Sequence, residues 1–405
     1  MLARKINTTF SVSPFPNLPA PLAPTSTTKT MDISETTLVE LLGAARLAAT
    51  ESAGALLANR YSSSLNPTTK TSSTDLVTAA DLASAHAITQ VISHLRPDDT
   101  IITEEDDPSS AIRPAPSSIY WIVDPLDGTT NYLYRRPDYC VAVAAIRADS
   151  PESALALDGD LLVGVVLAPE LNLLYAATAT SRAYLNELVI TPSDKSQLSA
   201  ALVNTGFSYD SSNRASQARL LGALLPRVAD IRRSGSAALD ALAVASARAD
   251  AYYESSVRPW DIAASTLIAL RAGVRIRLAP NLRSGTFAPY IDFVAATPTI
   301  SKDFEKSLTM ARLSPLPPVY PHPSPTHLNH ADAPPSPQPP HPPESTPLGP
   351  IRVVEPTLRP AESIKDIMSP RAHQDLDVDL LLAQRLSTPL TKDLMSSILQ
   401  TPLSP

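Results

Sequence analysis

The chain has 405 residues, with 40 acidic and 33 basic side chains, one cysteine, 41 prolines and only 11 glycines, for a formal charge of −7. One cysteine excludes a disulfide framework, and an acidic balance without a basic patch argues against nucleic acid as a partner, because phosphate-backbone binding needs clustered Lys and Arg. No apolar stretch approaches the roughly twenty residues of a spanning helix, so the expectation is a soluble, cytoplasmic protein that does not engage a membrane.

Residues 1–31 hold no acid and only Arg4, Lys5 and Lys29 as bases, among many Ser, Thr and Pro. That composition fits either a disordered leader or a transit segment for organelle import, although the prolines interrupt any long amphipathic helix. The compact unit is expected over residues 32–310. Asp32, with Glu35 three positions on, reads as a helix cap, and Leu38, Leu41, Leu42, Ala45, Ala48 and Ala49 recur at helical spacing to about Asn59. A second helix is expected from near Thr78 to Leu95, burying Leu82, Ile88, Val91, Ile92 and Leu95 and carrying Asp81 in its first turn. His86 and His94 fall on that helix and the other histidines follow residue 320, which disfavours phosphohistidine chemistry.

Ile101 to Thr103 is a short apolar strand that runs into Glu104, Glu105, Asp106 and Asp107. Tyr120 to Val123 has the β-branched and aromatic content of an interior strand, and the Asp124-Pro125 step forbids helix at Asp124, so its carboxylate should sit at the strand end, facing outward. Asp127 follows after a turn. The two carboxylates and the Leu126 carbonyl can then converge on one point, the arrangement that hard, oxygen-seeking cations need. Gly128 permits close backbone approach, and the N–H groups of Gly128, Thr129 and Thr130, at the start of a helical turn, suit phosphate oxygens. Taken alone, this segment also fits an Asp-Gly turn capped by hydroxyls, and the acidic run before it also fits a solvated loop.

Further strands are expected at Tyr139 to Arg147, Leu161 to Ala168, Leu171 to Ala177, Ala201 to Thr205 and Ala251 to Glu254, with helices at Arg214 to Val228 and Ser236 to Ala247. Cys140 lies in the first of these strands, where a buried, inert thiol is expected. Trp260-Asp261 opens an apolar helical run closed by Gly273, which puts Asp261 at a helix N-terminus, either as a simple cap or facing an anion. The alternation of helices and strands indicates an α/β (α+β) fold. From Pro315 to Pro350, 15 of 36 residues are proline. Residues 311–360 are therefore expected to be a disordered linker that could engage an SH3- or WW-type partner. The 361–405 tail carries Val378, Leu381, Leu382 and Leu386 at helical spacing, enough for a short amphipathic helix.

Six segments stand in order along residues 32–310: the run from Lys70 through Asp75 to Asp81, Glu104-Glu105, Asp124-Pro-Leu-Asp-Gly-Thr-Thr-Asn131, Thr205-Gly-Phe-Ser-Tyr-Asp210, Arg233-Ser-Gly-Ser-Ala-Ala-Leu-Asp240 and Trp260-Asp-Ile-Ala-Ala264. Together they resemble the inositol monophosphatase family of Mg²⁺-dependent, Li⁺-sensitive phosphatases. The resemblance implies a layered αβαβα sandwich, a homodimer, two or three Mg²⁺ ions and a small phosphate monoester as substrate. It further implies that Glu104, Asp124 and the Leu126 carbonyl hold one ion, that Asp124, Asp127 and Asp261 hold the next, and that Thr129, polarised by Asp81, assists the attacking water beside Glu104. Asp127, Gly235, Ser236, Ala237, Glu254 and Asp261 would meet the leaving alcohol, with Lys70 tuning the charge. The activity implied is hydrolysis of inositol monophosphate by a metal-activated water. Alternatives are a histidinol-phosphate or 3′-phosphonucleotide phosphatase of the same fold, or a scaffold acting through the Pro-rich tail. The chain departs from the family's glycines at Thr103, at Thr180 to Glu187 and at Arg271 to Val274, which bears on pocket shape more than on metal binding.

Overall fold

The computed structural model describes residues 33–60, 68–69, 76–77, 79–106, 112–281 and 289–313. The leader, Lys70, the Pro-rich linker and the tail helix lie outside the described residues. Helix α1 (Glu35–Asn59) is capped by Ser34, whose Oγ accepts from the Thr37 N–H at 3.1 Å. The cap is therefore Ser34 and not Asp32, because Ser34 is the extended residue directly before the first helical turn. The short strands β1 (Thr68–Thr69) and β2 (Leu76–Val77) pair antiparallel and lead to α2 (Ala79–Leu95). The buried stripe of α2 is Ala80, Asp81, Ser84, Ala85, Ile88, Val91 and Ile92, whereas the expected core residue Leu82 is 56 % exposed. Small side chains set this phase. Ser84 touches the Ser52 hydroxyl of α1 and donates to the Pro125 carbonyl, an approach that a leucine could not make.

The chain continues through β3 (Thr100–Thr103), β4 (Ile119–Asp127), α3 (Thr129–Leu133), β5 (Cys140–Arg147), α4 (Pro151–Leu155), β6 (Asp160–Ala168), β7 (Leu173–Thr178), β8 (Tyr184–Leu185) and β9 (Leu188–Val189). These strands form a seven-stranded sheet in the order β3-β4-β5-β6-β7-β8-β9, with only the β3–β4 pair parallel. Strand β4 runs past Val123 to Asp127, with a bulge between Asp124 and Asp127 opposite β5. Neither carboxylate faces outward: Asp124 is 2 % and Asp127 8 % exposed, because the next helical layer covers the strand end. In the β8–β9 hairpin, Asn186 and Glu187 take φ of 47° and 69° in place of glycines. The Asn186 side chain secures that turn by accepting from Leu174 N–H and donating to the Asn172 carbonyl.

The second half comprises β10 (Leu202–Thr205), α5 (Ser211–Leu224), β11 (Asp230–Arg232), α6 (Ala237–Ala245), β12 (Ala251–Val257), α7 (Pro259–Ala272), β13 (Arg275–Asn281), β14 (Tyr290–Ala296) and α8 (Ser301–Leu313). Its five-stranded sheet has the order β11-β10-β12-β14-β13. Helix α7 ends, as its sequence requires, on left-handed Gly273 (φ 101°).

Alternation along the strands builds the layers. Trp121, Val123, Val141 and Val143 point to one face of the first sheet, against Leu38, Leu41, Ala45 and Ala48 of α1 and Ile88 and Ile92 of α2. Tyr120, Ile122, Ala142 and Ala144 point to the other, against Ala241 and Leu242 of α6 and Ile262 and Ile268 of α7, which bury Tyr252 and Phe293 of the second sheet from behind. On its far face Val203, Tyr253 and Val294 pack on Leu220 and Leu224 of α5 and Phe304 and Leu308 of α8. The order is thus helix, sheet, helix, sheet, helix, the expected αβαβα sandwich. Central α7 lies so near β6 that a Cβ on Gly164 would come within 2.6 Å of the Ala264 carbonyl. Among the described residues no helix is long and apolar enough to cross a membrane.

Candidate active site

Three elements deliver carboxylates to one point. Glu104 is the residue after β3, fixed by its N–H donating to the Val123 carbonyl of β4 at 3.1 Å. Asp124 sits at the β4 bulge, where Oδ1 accepts from the Leu126 N–H at 2.9 Å. Asp261 occupies the first turn of α7, and its Oδ2 accepts from the Arg258 N–H at 2.7 Å. Carboxylate oxygens of Glu104, Asp124 and Asp261 all lie within 4.8 Å of one another. Burial pushes the Asp261 carboxyl well above the usual carboxylate range, and the charges of Glu104 and Asp127 push it further. Carboxylates forced together in a half-dry cleft repel one another, and a divalent cation removes that cost by taking an oxygen from each. The all-oxygen donor set fits a hard ion such as Mg²⁺ or Ca²⁺ and does not suit a soft transition metal.

Asp127 is placed differently from its neighbours. Its oxygens accept from the Ser236 hydroxyl at 2.6 Å and from the N–H groups of Ala238 at 2.8 Å and Ala237 at 3.2 Å, so it is gripped by the start of α6. It is not one of the three carboxylates whose oxygens converge. Burial raises its carboxyl to about 6, against the lowering effect of those donors, and the charge of Glu104 raises it too, so it remains within electrostatic reach of the cluster. Cys140 lies beside this contact, its Sγ 3.5 Å from Ser236 Oγ, and burial together with Asp127 pushes the thiol well up. That is the inert, protonated state expected of it.

Beyond Asp127 the chain turns at Gly128, whose φ of 95° suits only glycine and whose Cβ would lie 3.0 Å from the Asp138 carbonyl. Helix α3 then opens with Thr129. The Thr129 hydroxyl lies 3.1 Å from Asp81 Oδ1 and 3.1 Å from the Leu126 carbonyl, with Asp81 only 1 % exposed. One hydroxyl proton can serve one acceptor at a time, so Thr129 is poised between the α2 carboxylate and the carbonyl edge of the cluster.

On the α6 side, Ser236 caps the helix and Gly235 turns at φ 103°. Two residues to which the sequence reading gave no role hold this loop. Asn131 donates to the carbonyls of Ser234 at 2.9 Å and Asp138 at 2.7 Å, tying α3 to the loop. Asp240 accepts from Asn204 at 2.8 Å and from the Ser234 N–H at 3.2 Å, and burial raises its carboxyl to about 7. Both residues end motifs noted in the sequence, and that position was the only signal available. Glu254, on β12, is half-buried; burial raises its carboxyl to about 7, while the Tyr252 hydrogen bond and the Arg233 charge oppose the rise. A cavity of about 310 Å³, lined among others by Asn204, Arg233, Ser234 and Asp240, opens beside this loop, and no member of the carboxylate trio borders it.

The inositol monophosphatase family model matches residues 38–287. Inositol-1-monophosphatase SuhB of Mycobacterium tuberculosis is 36 % identical over 244 residues, covering 59 % of this chain and 80 % of that protein. Nus factor SuhB of Escherichia coli is 35 % identical over 227 residues, covering 56 % of this chain and 80 % of its own length. Among solved structures, inositol monophosphatase from Anabaena superposes with a TM-score of 0.55 at 29 % identity, covering 69 % of this chain and 97 % of that one. Mycobacterium tuberculosis SuhB gives a TM-score of 0.54 at 32 % identity, covering 67 % and 96 %. The motif order, the five-layer fold and a family match spanning both sheets agree that this chain belongs to the inositol monophosphatase family.

Proposed function

We propose that the protein is a Mg²⁺-dependent phosphatase that hydrolyses a small polyol phosphate monoester, inositol monophosphate foremost, by direct attack of water. The observation that carries this reading is the convergence of Glu104, Asp124 and Asp261 within 4.8 Å, beside Thr129 and its partner Asp81. Phosphate monoesters repel water because both are electron-rich, so charge neutralisation and in-line placement are the main demands on the site. Mg²⁺ held there would polarise the entering water and offset charge on the phosphoryl and leaving oxygens. Glu104, Asp124 and the Leu126 carbonyl are the proposed ligands of one ion, and Asp124, Asp261 and Asp127 those of the next. Thr129 Oγ passes its proton to Asp81 Oδ1 as it takes one from the attacking water. Backbone N–H groups of Gly128, Thr129 and Thr130 orient the phosphate, and Gly235, Ser236, Ala237 and Glu254 line the alcohol side. The protein is proposed to act as a homodimer.

A panel of phosphate esters assayed with and without Mg²⁺ tests the reading, with inositol 1-phosphate expected to be cleaved fastest and Li⁺ to inhibit. Absence of Mg²⁺-dependent phosphate release from every ester would refute it. Ca²⁺ should displace Mg²⁺ without supporting turnover, since it takes more ligands at longer, looser distances; full activity in Ca²⁺ would argue against an octahedral ion. Glu254→Ala should raise KM for inositol 1-phosphate about tenfold, the worth of a hydrogen bond to a charged acceptor. Hydrolysis of p-nitrophenyl phosphate, which offers no alcohol hydroxyl, should change far less; parallel losses would make Glu254 structural.

A further inference from the structure

The Glu254 carboxylate is held on two sides. Its Oε2 accepts from the Tyr252 hydroxyl at 2.7 Å. Tyr252 stands two residues earlier on β12 and so projects to the same face of the strand. It is fully buried, with its ring centroid 5.4 Å from that of Phe293, so its hydroxyl has little freedom to turn elsewhere. Across the carboxylate lies Gly206, where an added Cβ would come within 1.7 Å of Oε2 and 2.4 Å of Oε1. A methyl group there would have to push the Glu254 carboxylate aside. Oε1 makes no hydrogen bond among the described residues, while Glu254 is close enough for its charge to act on Asp261 in the carboxylate cluster.

We propose that Tyr252 is a positioning residue that sets substrate specificity: by holding Oε2 against Gly206, it orients Oε1, which takes no hydrogen bond among the described residues, as the acceptor for a hydroxyl of the leaving alcohol. A fixed single acceptor selects alcohols that carry a second hydroxyl and gives no advantage to esters without one, because only the former satisfy the oxygen when water is displaced. This inference rests on the reading of Glu254 as the contact to the leaving alcohol.

Tyr252→Phe removes one hydroxyl and keeps the ring against Phe293. It should lower kcat/KM for inositol 1-phosphate about tenfold, almost entirely through KM, with a loss at least about fivefold smaller for p-nitrophenyl phosphate. Gly206→Ala, whose Cβ displaces the same carboxylate from the other side, should give the same split. Equal losses on the two esters, or no change on either, would overturn the proposal. Glu254→Ala in the same assays separates the two failures. If Glu254→Ala splits the substrates and the Tyr252 and Gly206 variants do not, the positioning role alone falls. If none of them splits the substrates, the reading of Glu254 fails and takes the proposal with it.

Discussion

Asp124→Asn is expected to leave less than about 1 % of wild-type turnover in Mg²⁺ with the thermal midpoint little changed. Asp124 is one of the three converging carboxylates and the proposed ligand common to both ions, while its Oδ1 also accepts from the Leu126 N–H. An amide can keep the turn by accepting from Leu126 with its oxygen, but then presents an uncharged NH₂ donor to the cluster. Because the buried negative charge is lost and not the volume, the fold should tolerate the change, and folded protein in circular dichroism should accompany the lost activity. Retention of more than a few per cent of turnover would remove Asp124 from the role assigned to it.

Thr129→Ala should reduce kcat about 100-fold with a small effect on KM, the range expected when a positioned proton acceptor is removed. The Oγ to Asp81 Oδ1 contact of 3.1 Å is buried, and the same hydroxyl lies 3.1 Å from the Leu126 carbonyl, so it links Asp81 to the edge of the cluster. Asp81→Asn should therefore cost a similar factor, and the double variant little more than either single one, because residues that act as a unit are not additive. Steady-state kinetics of the four proteins measure the coupling. Additive losses would assign Thr129 and Asp81 to separate tasks, with Asp81 reduced to satisfying its own helix.

Much of the site could be read from local pattern. The Asp124-Pro125 step, the Gly128 turn and the apolar strand before them specify a strand that ends in carboxylates, because proline and glycine constrain backbone dihedrals at the residue itself. The placing of Asp261 in the first turn of α7, the helix's stop at Gly273 and the strand running into Glu104 were equally legible, although α7 starts two residues before Asp261, at Pro259. What these local rules cannot carry is distance across the chain. Thr129 and Asp81 are 48 residues apart, and they meet only because α2 packs its small-residue stripe on α1 and lays Ser84 on the Pro125 carbonyl. The same packing turned Leu82 outward, against a reading that placed every leucine of α2 inside.

Asp127 shows the limit most clearly. Its spacing from Asp124 suggests that the two carboxylates converge on one point, yet Ser236, 109 residues away, and the N–H groups that follow it take hold of Asp127. No sequence rule announces that partnership; it follows from α6 being packed between the two sheets with its first turn over the β4 bulge. The apolar strands that lead to Glu104 and Asp124, the helical runs and the identity of the oxygen donors are local properties, since each depends on dihedral preferences and side-chain chemistry over a few residues. The cap of α1 and the end of β4 were not legible in this way. Which donors face one another follows from how five layers bury their apolar faces, because a side chain's neighbours there are chosen by packing and not by sequence distance.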